Sequence, residues 1–216
     1  MQVSIFGLSG DPCTSAHLEI IDRLSKKYDR VIVIPTNVNY YKNYKGHDRA
    51  MFSFTERYDN LVEKCKLWKN VFVSDVERDI TEGWRFINTL KEVLGFNANS
   101  QDYDDILKTM EEHELEVFVA IGSDSLQNFK TWAEWENILR ISKLVVFTRP
   151  GYMDELPTDI NYELLKMDND ISSTKVRENI MSLMNVFEDV IEDDFDTWID
   201  DITWGKDYFD GTSNQT

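Results

Sequence analysis

Two cysteines in 216 residues, at 13 and 65, leave nothing from which to build a disulfide framework or a zinc cluster. No apolar run approaches the ~20 residues of a membrane span. No signal peptide is read, because Met1 leads directly into an apolar strand. Basic residues are in deficit: 23 Lys and Arg stand against 40 Asp and Glu, for a net charge of −17 and a pI near 4.5. Such a field repels a phosphate backbone, which argues against nucleic-acid binding through overall charge while leaving room for a local basic pocket. Of the three histidines, His47 and His113 stand in polar surroundings without metal-ligand spacing and read as surface residues, so no metal ligands are expected. Cys13 has no evident histidine partner and reads as a small residue filling a tight turn rather than a nucleophile. Internal repeats and low-complexity linkers are missing as well. These absences predict one soluble, cytoplasmic domain.

What is present is 42% hydrophobic residues, enough for a sizeable core at this length. Short, nearly continuous apolar runs at Val3 to Phe6, Val31 to Ile34, Val71 to Val73, Val117 to Ile121 and Leu144 to Phe147 read as strands buried on both faces of a parallel sheet. Helical patterns lie between them, at His17 to Lys27, Thr55 to Lys66, Phe86 to Leu94 and Thr174 to Met184. Alternation of this kind predicts a doubly wound α/β sheet with right-handed crossovers and helices on both faces. Residues 97–116 are polar around one short helical pattern (Ile106, Leu107, Met110) and read as an insertion. Gly151 to Asn161 reads as a loop. The acidic run from Glu188 to Asp201 reads as a solvated helical face, a helical carboxyl-terminal extension, and the last residues read as a frayed polar tail.

Three stretches carry chemistry. The first strand runs into Gly7-Leu8-Ser9-Gly10-Asp11-Pro12-Cys13-Thr14-Ser15-Ala16-His17. Glycines at 7 and 10 let backbone approach a ligand, Thr14 is placed to cap the next helix, and His17 falls in its first turn. An ordinary strand–helix connection has the same outline, but the N-terminus of a helix with an imidazole over it is suited to a phosphate chain. The second stretch, Gly122-Ser123-Asp124-Ser125-Leu126-Gln127-Asn128-Phe129-Lys130-Thr131-Trp132-Ala133-Glu134-Trp135, follows the strongest strand, where α/β sheets bind ligands. Asp124 is placed for a ribose hydroxyl and Trp132 for stacking on a flat heterocycle, although Phe129, Trp132 and Trp135 read equally as one helical core stripe. The third is Ile171-Ser172-Ser173-Thr174-Lys175-Val176-Arg177, a capping sequence with an arginine three residues into its helix.

Taken together, Gly-x-Ser-x-Asp-Pro, Thr14-Ser15-Ala16-His17, the Gly-x-Asp-x-Leu-x-x-Phe-x-x-Trp segment and Ile171-Ser172-Ser173-Thr174-x-x-Arg177 resemble the nicotinate and nicotinamide mononucleotide adenylyltransferases of the nucleotidyltransferase superfamily. Ala16 stands where that family has glycine. The resemblance implies a single Rossmann-like nucleotidyltransferase domain over residues 1–203 and a tail over 204–216. It implies transfer of AMP from ATP to a pyridine mononucleotide, giving the dinucleotide and pyrophosphate, with Mg²⁺ arriving on ATP. Catalytic roles fall to His17, Thr14 and Arg177. ATP contacts fall to Gly7, Ser9, Gly10, Asp11, Ser172, Ser173, Thr174 and Arg177. Mononucleotide contacts fall to Lys42, Trp84, Thr89, Gly122, Asp124 and Trp132. Matches in the middle are partial. Lys42 survives from a Pro-Pro-His-Lys loop and reads either as a phosphate contact or as a solvated lysine. Only Thr89-Leu90 survives from a segment that shapes the pyridine pocket, and Trp84 beside it reads as a second stacking residue or as core or lid. Arg57 matches a helix-opening arginine and reads as a structural ion pair. A phosphopantetheine-type adenylyltransferase, or a nucleotide-binding regulator of weak activity, are the alternative readings. Partners are expected to be small molecules, with neither nucleic acid nor membrane, and homo-oligomerisation stays open.

Overall fold

The computed structural model describes residues 1–37, 51–80, 83–148, 156–167, 171 and 173–187, with side chains to 182 in the last span. Lys42, His47, Ser172 and everything from 188 onward, the acidic run and polar tail included, lie outside them. The chain divides into two compact units, Met1–Ser173 and Thr174–Thr216.

In the first unit six strands form one parallel sheet: β1 Gln2–Leu8, β2 Arg30–Pro35, β3 Val71–Val73, β4 Glu116–Gly122, β5 Lys143–Phe147 and β6 Tyr162–Leu165. Their order is β3-β2-β1-β4-β5-β6. Central register pairs are Ile5 with Ile32 and Val119, and Ala120 with Val145. The strands are apolar on both faces because both faces are covered. Phe6, Leu8, Val31, Val33, Ala120 and Val145 face a core closed by α1 (Ser15–Lys27) and α2 (Phe54–Cys65). The opposite side chains, among them Val3, Ile5, Val117, Val119, Ile121, Leu144 and Val146, face α3 (Phe86–Val93), α4 (Tyr103–Glu112) and α6 (Trp135–Ile141). α5 (Ser123–Gln127) is a short turn after β4.

The structure departs from the sequence expectation in three places and bears out the short helical pattern in a fourth. β6 lies beyond the Gly151 to Asn161 loop and matches none of the expected strands; its Glu163 and Leu164 are exposed on an edge strand, so no apolar run marks it. The segment 97–116 holds α4, which buries Tyr103, Ile106 and Met110 in the main core. It is tied to α3 by Asn88 Nδ2 donating to the Ala98 carbonyl (2.8 Å) and Lys91 Nζ donating to the Ser100 carbonyl (2.7 Å). α2 starts ahead of Thr55: Ser53 caps it, its N–H donating to Glu56 Oε2 at 2.7 Å while its hydroxyl accepts from the Glu56 N–H at 3.3 Å. The Phe129–Trp132–Trp135 stripe is not one helix. α5 ends at Gln127, a 3₁₀ turn covers Phe129–Thr131, Trp132 is extended, and Glu134 is left-handed (φ 55°) before α6 begins.

The second unit is described over α7, which spans Ser173–Phe187 and so begins at the last residue of the first. Within it, an Arg177 Nη2 donates to Thr174 Oγ1 at 3.2 Å. Among the described residues no helix is long and apolar enough to cross a membrane.

Candidate active site

β1 and β4 are neighbours, and from them the chain leaves in opposite directions across the sheet, toward β2 on one side and β5 on the other. The crevice outside the carboxyl ends of such a pair is where open α/β sheets take ligands. Both of the first two motifs leave the sheet here, one after Leu8 and the other after Gly122.

The turn after β1 is held by side chains that arrive from far along the chain. Gly10 has φ +59°, the left-handed region that glycine enters without a Cβ penalty. Asp11 is 3% exposed, and its two carboxylate oxygens accept the N–H groups of Met51 (3.0 Å) and Phe52 (2.9 Å). Arg57, also 3% exposed, donates from Nη1 to the carbonyls of Ser9 (2.6 Å) and Thr36 (2.7 Å) and from Nε to that of Phe52 (3.2 Å). The ion pair expected of Arg57 is thus a carbonyl clamp, because its donors are taken up by backbone. Burial pulls the guanidinium below its ordinary value, while the charges of Asp11 and Glu77 oppose that.

His17 is the third residue of α1, and its ring folds back over the first turn. Nδ1 accepts from the Thr14 N–H at 3.0 Å and lies 3.1 Å from Thr14 Oγ1. An Nδ1 that accepts a backbone N–H puts the proton of the neutral ring on Nε2. The imidazole is therefore a fixed donor at a helix N-terminus. Ser173, from the third motif, donates its hydroxyl to the Pro12 carbonyl (2.8 Å), which holds that residue against the turn. Arg177 belongs to the second unit.

On the β4 side, Gly122 precedes α5, and Asp124 lies half-buried in its first turn. Trp132 is half-buried, its ring 5.3 Å from those of both Phe129 and Phe86. Phe86 was not foreseen as a site residue. It joins the two halves: a Cβ on Gly7 would meet its Cε2 at 3.7 Å, while its ring edge meets Trp132. Nothing short of the fold brings residues 7, 86 and 132 together, so no local signal could have shown it. Thr89 is fully buried, with its hydroxyl accepting from Trp84 Nε1 (2.8 Å) and donating to Glu77 Oε1 (2.7 Å).

Neither thiol is poised for chemistry. Burial pushes Cys13 up to about 12 and Cys65 up to about 11. Native protein at pH 8 is expected to take up no iodoacetamide label within an hour, and both cysteines to react once guanidinium unfolds it, as read by intact mass. A label on native Cys13 would show that the turn opens readily.

The cytidylyltransferase-like family model matches residues 6–179. The chain belongs to the cytidylyltransferase-like family. Curated relatives are named "Probable nicotinate-nucleotide adenylyltransferase". One from Campylobacter fetus is 30% identical, covering 89% of this chain and 94% of its own. One from Fusobacterium nucleatum is 28% identical, covering 83% and 88%. Among solved structures, a Plasmodium falciparum nicotinic acid mononucleotide adenylyltransferase complexed with NaAD shares the fold, with TM-score 0.55, 17% identity and 82% of each chain covered. As a cytidylyltransferase-like chain, the protein is a nucleotidyltransferase with a Rossmann-like sheet.

Proposed function

We propose that this protein joins ATP to a pyridine mononucleotide, nicotinate or nicotinamide mononucleotide, releasing pyrophosphate in a step of NAD biosynthesis. The observation that carries the reading is the pairing of β1 and β4: one strand delivers a glycine turn with a tautomer-fixed His17, the other delivers Asp124 and Trp132 across the same crevice. The names of the bacterial relatives support the same reaction.

The 5′-phosphate oxygen of the mononucleotide attacks the α-phosphorus of ATP in line. The new P–O bond forms as the α–β bridging P–O bond breaks, and pyrophosphate carries away the electron pair. No protein nucleophile takes part. Catalysis is positioning together with stabilisation of charge on the equatorial oxygens. His17 donates its Nε2–H to an α-phosphate oxygen, Thr14 fixes that ring, and the backbone of Gly7, Ser9 and Gly10 lies along ATP. Asp11 holds the turn. Ser172, Ser173, Thr174 and Arg177 take the β- and γ-phosphates. Asp124 accepts a ribose hydroxyl next to Gly122, Trp132 stacks on the pyridine, and Lys42 meets the mononucleotide phosphate.

Among the described residues no group of three His, Cys, Asp or Glu side chains converges on a point. The Asp11 oxygens are, besides, bonded to backbone N–H groups. Mg²⁺ arriving on the triphosphate would take most of its shell from phosphate oxygens and water. That ion neutralises phosphate charge when bound.

The test is pyrophosphate release from ATP and Mg²⁺ with each mononucleotide in turn. Wild-type protein is expected to release it, and Trp132→Ala to raise the KM for the mononucleotide about three- to tenfold with the KM for ATP unchanged, the loss of one aromatic stack. Nucleotide binding without pyrophosphate release would instead indicate a regulator.

A further inference from the structure

Glu134 breaks two habits of a helix start. It caps α6 at φ 55°, in the left-handed region, where a cap is ordinarily extended, and its side chain makes no cap bond to the α6 backbone. For a residue with a Cβ this conformation is strained, and such strain persists only where the surroundings hold it. What holds it arrives from 31 positions away: Tyr103 donates its hydroxyl to Glu134 Oε2. Asn137 Nδ2 donates to the same oxygen at 3.1 Å. The bond from Tyr103 first, then that from Asn137 and the charge of Lys91, hold the Glu134 carboxyl below its ordinary value against the pull of desolvation.

The tyrosine is itself fixed. It is buried in the main core at the start of α4, with Lys91 Nζ 4.6 Å and Arg140 Cζ 5.6 Å from its ring centroid. Lys91 is fully buried and donates to the Ser100 carbonyl (2.7 Å), while Arg140 Nη2 donates to Asp104 Oδ1 (2.9 Å). The hydroxyl therefore meets the carboxylate from a ring that cannot swing away. The effect of the left-handed break is visible on either side of it. Two residues before it, Trp132 is extended, with its indole 5.3 Å from the rings of Phe86 and Phe129. One residue after it, Trp135 opens α6 with its indole edge-on to Phe129 at 6.4 Å. Without the break, the three-residue spacing of Phe129, Trp132 and Trp135 would let one helix run on into α6, and the Trp132 indole would leave Phe86.

We propose that Tyr103 and Glu134 are positioning residues for the mononucleotide that act through Trp132: their contact holds the left-handed turn that keeps the indole on Phe86, the ring beside Gly7. The proposal rests on the pyridine-mononucleotide reading above, in which Trp132 stacks on the pyridine. It gives the segment 97–116 a part in substrate binding besides filling the core.

The experiment is steady-state kinetics and thermal melts on full-length protein, with ATP and the better of the two mononucleotides. Glu134→Ala and Glu134→Gly both remove the carboxylate, but alanine favours the unbroken helix, whereas glycine enters the left-handed region freely and disfavours that helix. Glu134→Ala is expected to raise the mononucleotide KM about three- to tenfold, the worth of one aromatic stack, with the KM for ATP unchanged. Glu134→Gly is expected to restore the turn and keep that KM within about twofold of wild type. Tyr103→Phe keeps the buried ring, loses the hydroxyl and raises the same KM toward that of Glu134→Ala. The Trp132→Ala/Glu134→Ala double variant is no worse than Trp132→Ala, because both act on one contact. A pair that served stability alone would lower the melting temperature in every variant and leave KM at its wild-type value. That result, equal KM values for the alanine and glycine variants, or an additive double variant overturns the proposal. Glu134 is exposed, so its substitutions leave the core intact, and the contrast between alanine and glycine decides even if Tyr103→Phe fails to fold. If wild-type protein turns over neither mononucleotide, the functional reading falls and this proposal with it. If it turns over and the alanine variant matches glycine, only the clasp falls.

Discussion

His17→Ala is expected to lower kcat by roughly 10²–10³, the loss of one donor aimed at developing charge. The structure adds a complication that the experiment has to separate. Nδ1 of the same ring accepts the Thr14 N–H at 3.0 Å, so the histidine is also the reciprocal member of the α1 cap. Removing it orphans a buried N–H and costs about 1–2 kcal/mol of stability on its own. His17→Gln divides the two parts. Glutamine at the third helical position can reach back to the cap N–H, but it offers no imidazole N–H over the turn. The expected pattern is a melting temperature near wild type for Gln, a lowered one for Ala, and comparable loss of kcat in both. Full turnover by either variant would remove His17 from the chemistry. Recovery of rate in Gln alone would reduce it to a cap.

That histidine was legible from spacing because its structural partner, Thr14, lies three residues away. Locality explains most of what could be read. β1, β2, β4 and β5 announce themselves as unbroken apolar runs because helices cover both of their faces. β6 does not, since an edge strand with exposed Glu163 and Leu164 carries no such run. The segment around Trp132 was readable as a motif but not as a shape. Its periodicity suits a helix, but the helix ends at Gln127, Trp132 is extended, and Glu134 is left-handed ahead of α6. What sequence could not supply was pairing at a distance. Phe86 reaching Gly7, Glu77 reaching Thr89 and Arg57 reaching Ser9 span gaps of 79, 12 and 48 positions, and each depends on where the sheet sets neighbouring strand ends.

Arg57 is where that distance should cost most. Arg57→Met keeps a long apolar stem but removes donors from three backbone carbonyls: Ser9 in the ligand turn, Thr36 after β2 and Phe52 ahead of α2. It also withdraws a positive charge from beside Asp11 and Glu77, both nearly inaccessible to solvent. Loss of one partner from a buried charged network costs about 3–5 kcal/mol. At ~2–4 °C per kcal/mol for a chain of this size, the melting temperature should fall by about 6–20 °C. Arg57→Lys retains the charge but not the fork, and one ammonium on a flexible stem cannot serve three carbonyls at fixed angles, so it should recover less than half of the loss. The same clamp holds the Ser9 backbone in place beside His17. At a temperature where Arg57→Lys is fully folded, kcat should therefore still lie below wild type. Calorimetric melts of the three proteins with pyrophosphate-release assays at 20 °C check both parts. An Arg57→Met protein melting within 2 °C of wild type would mean that the turn is held by Asp11 alone.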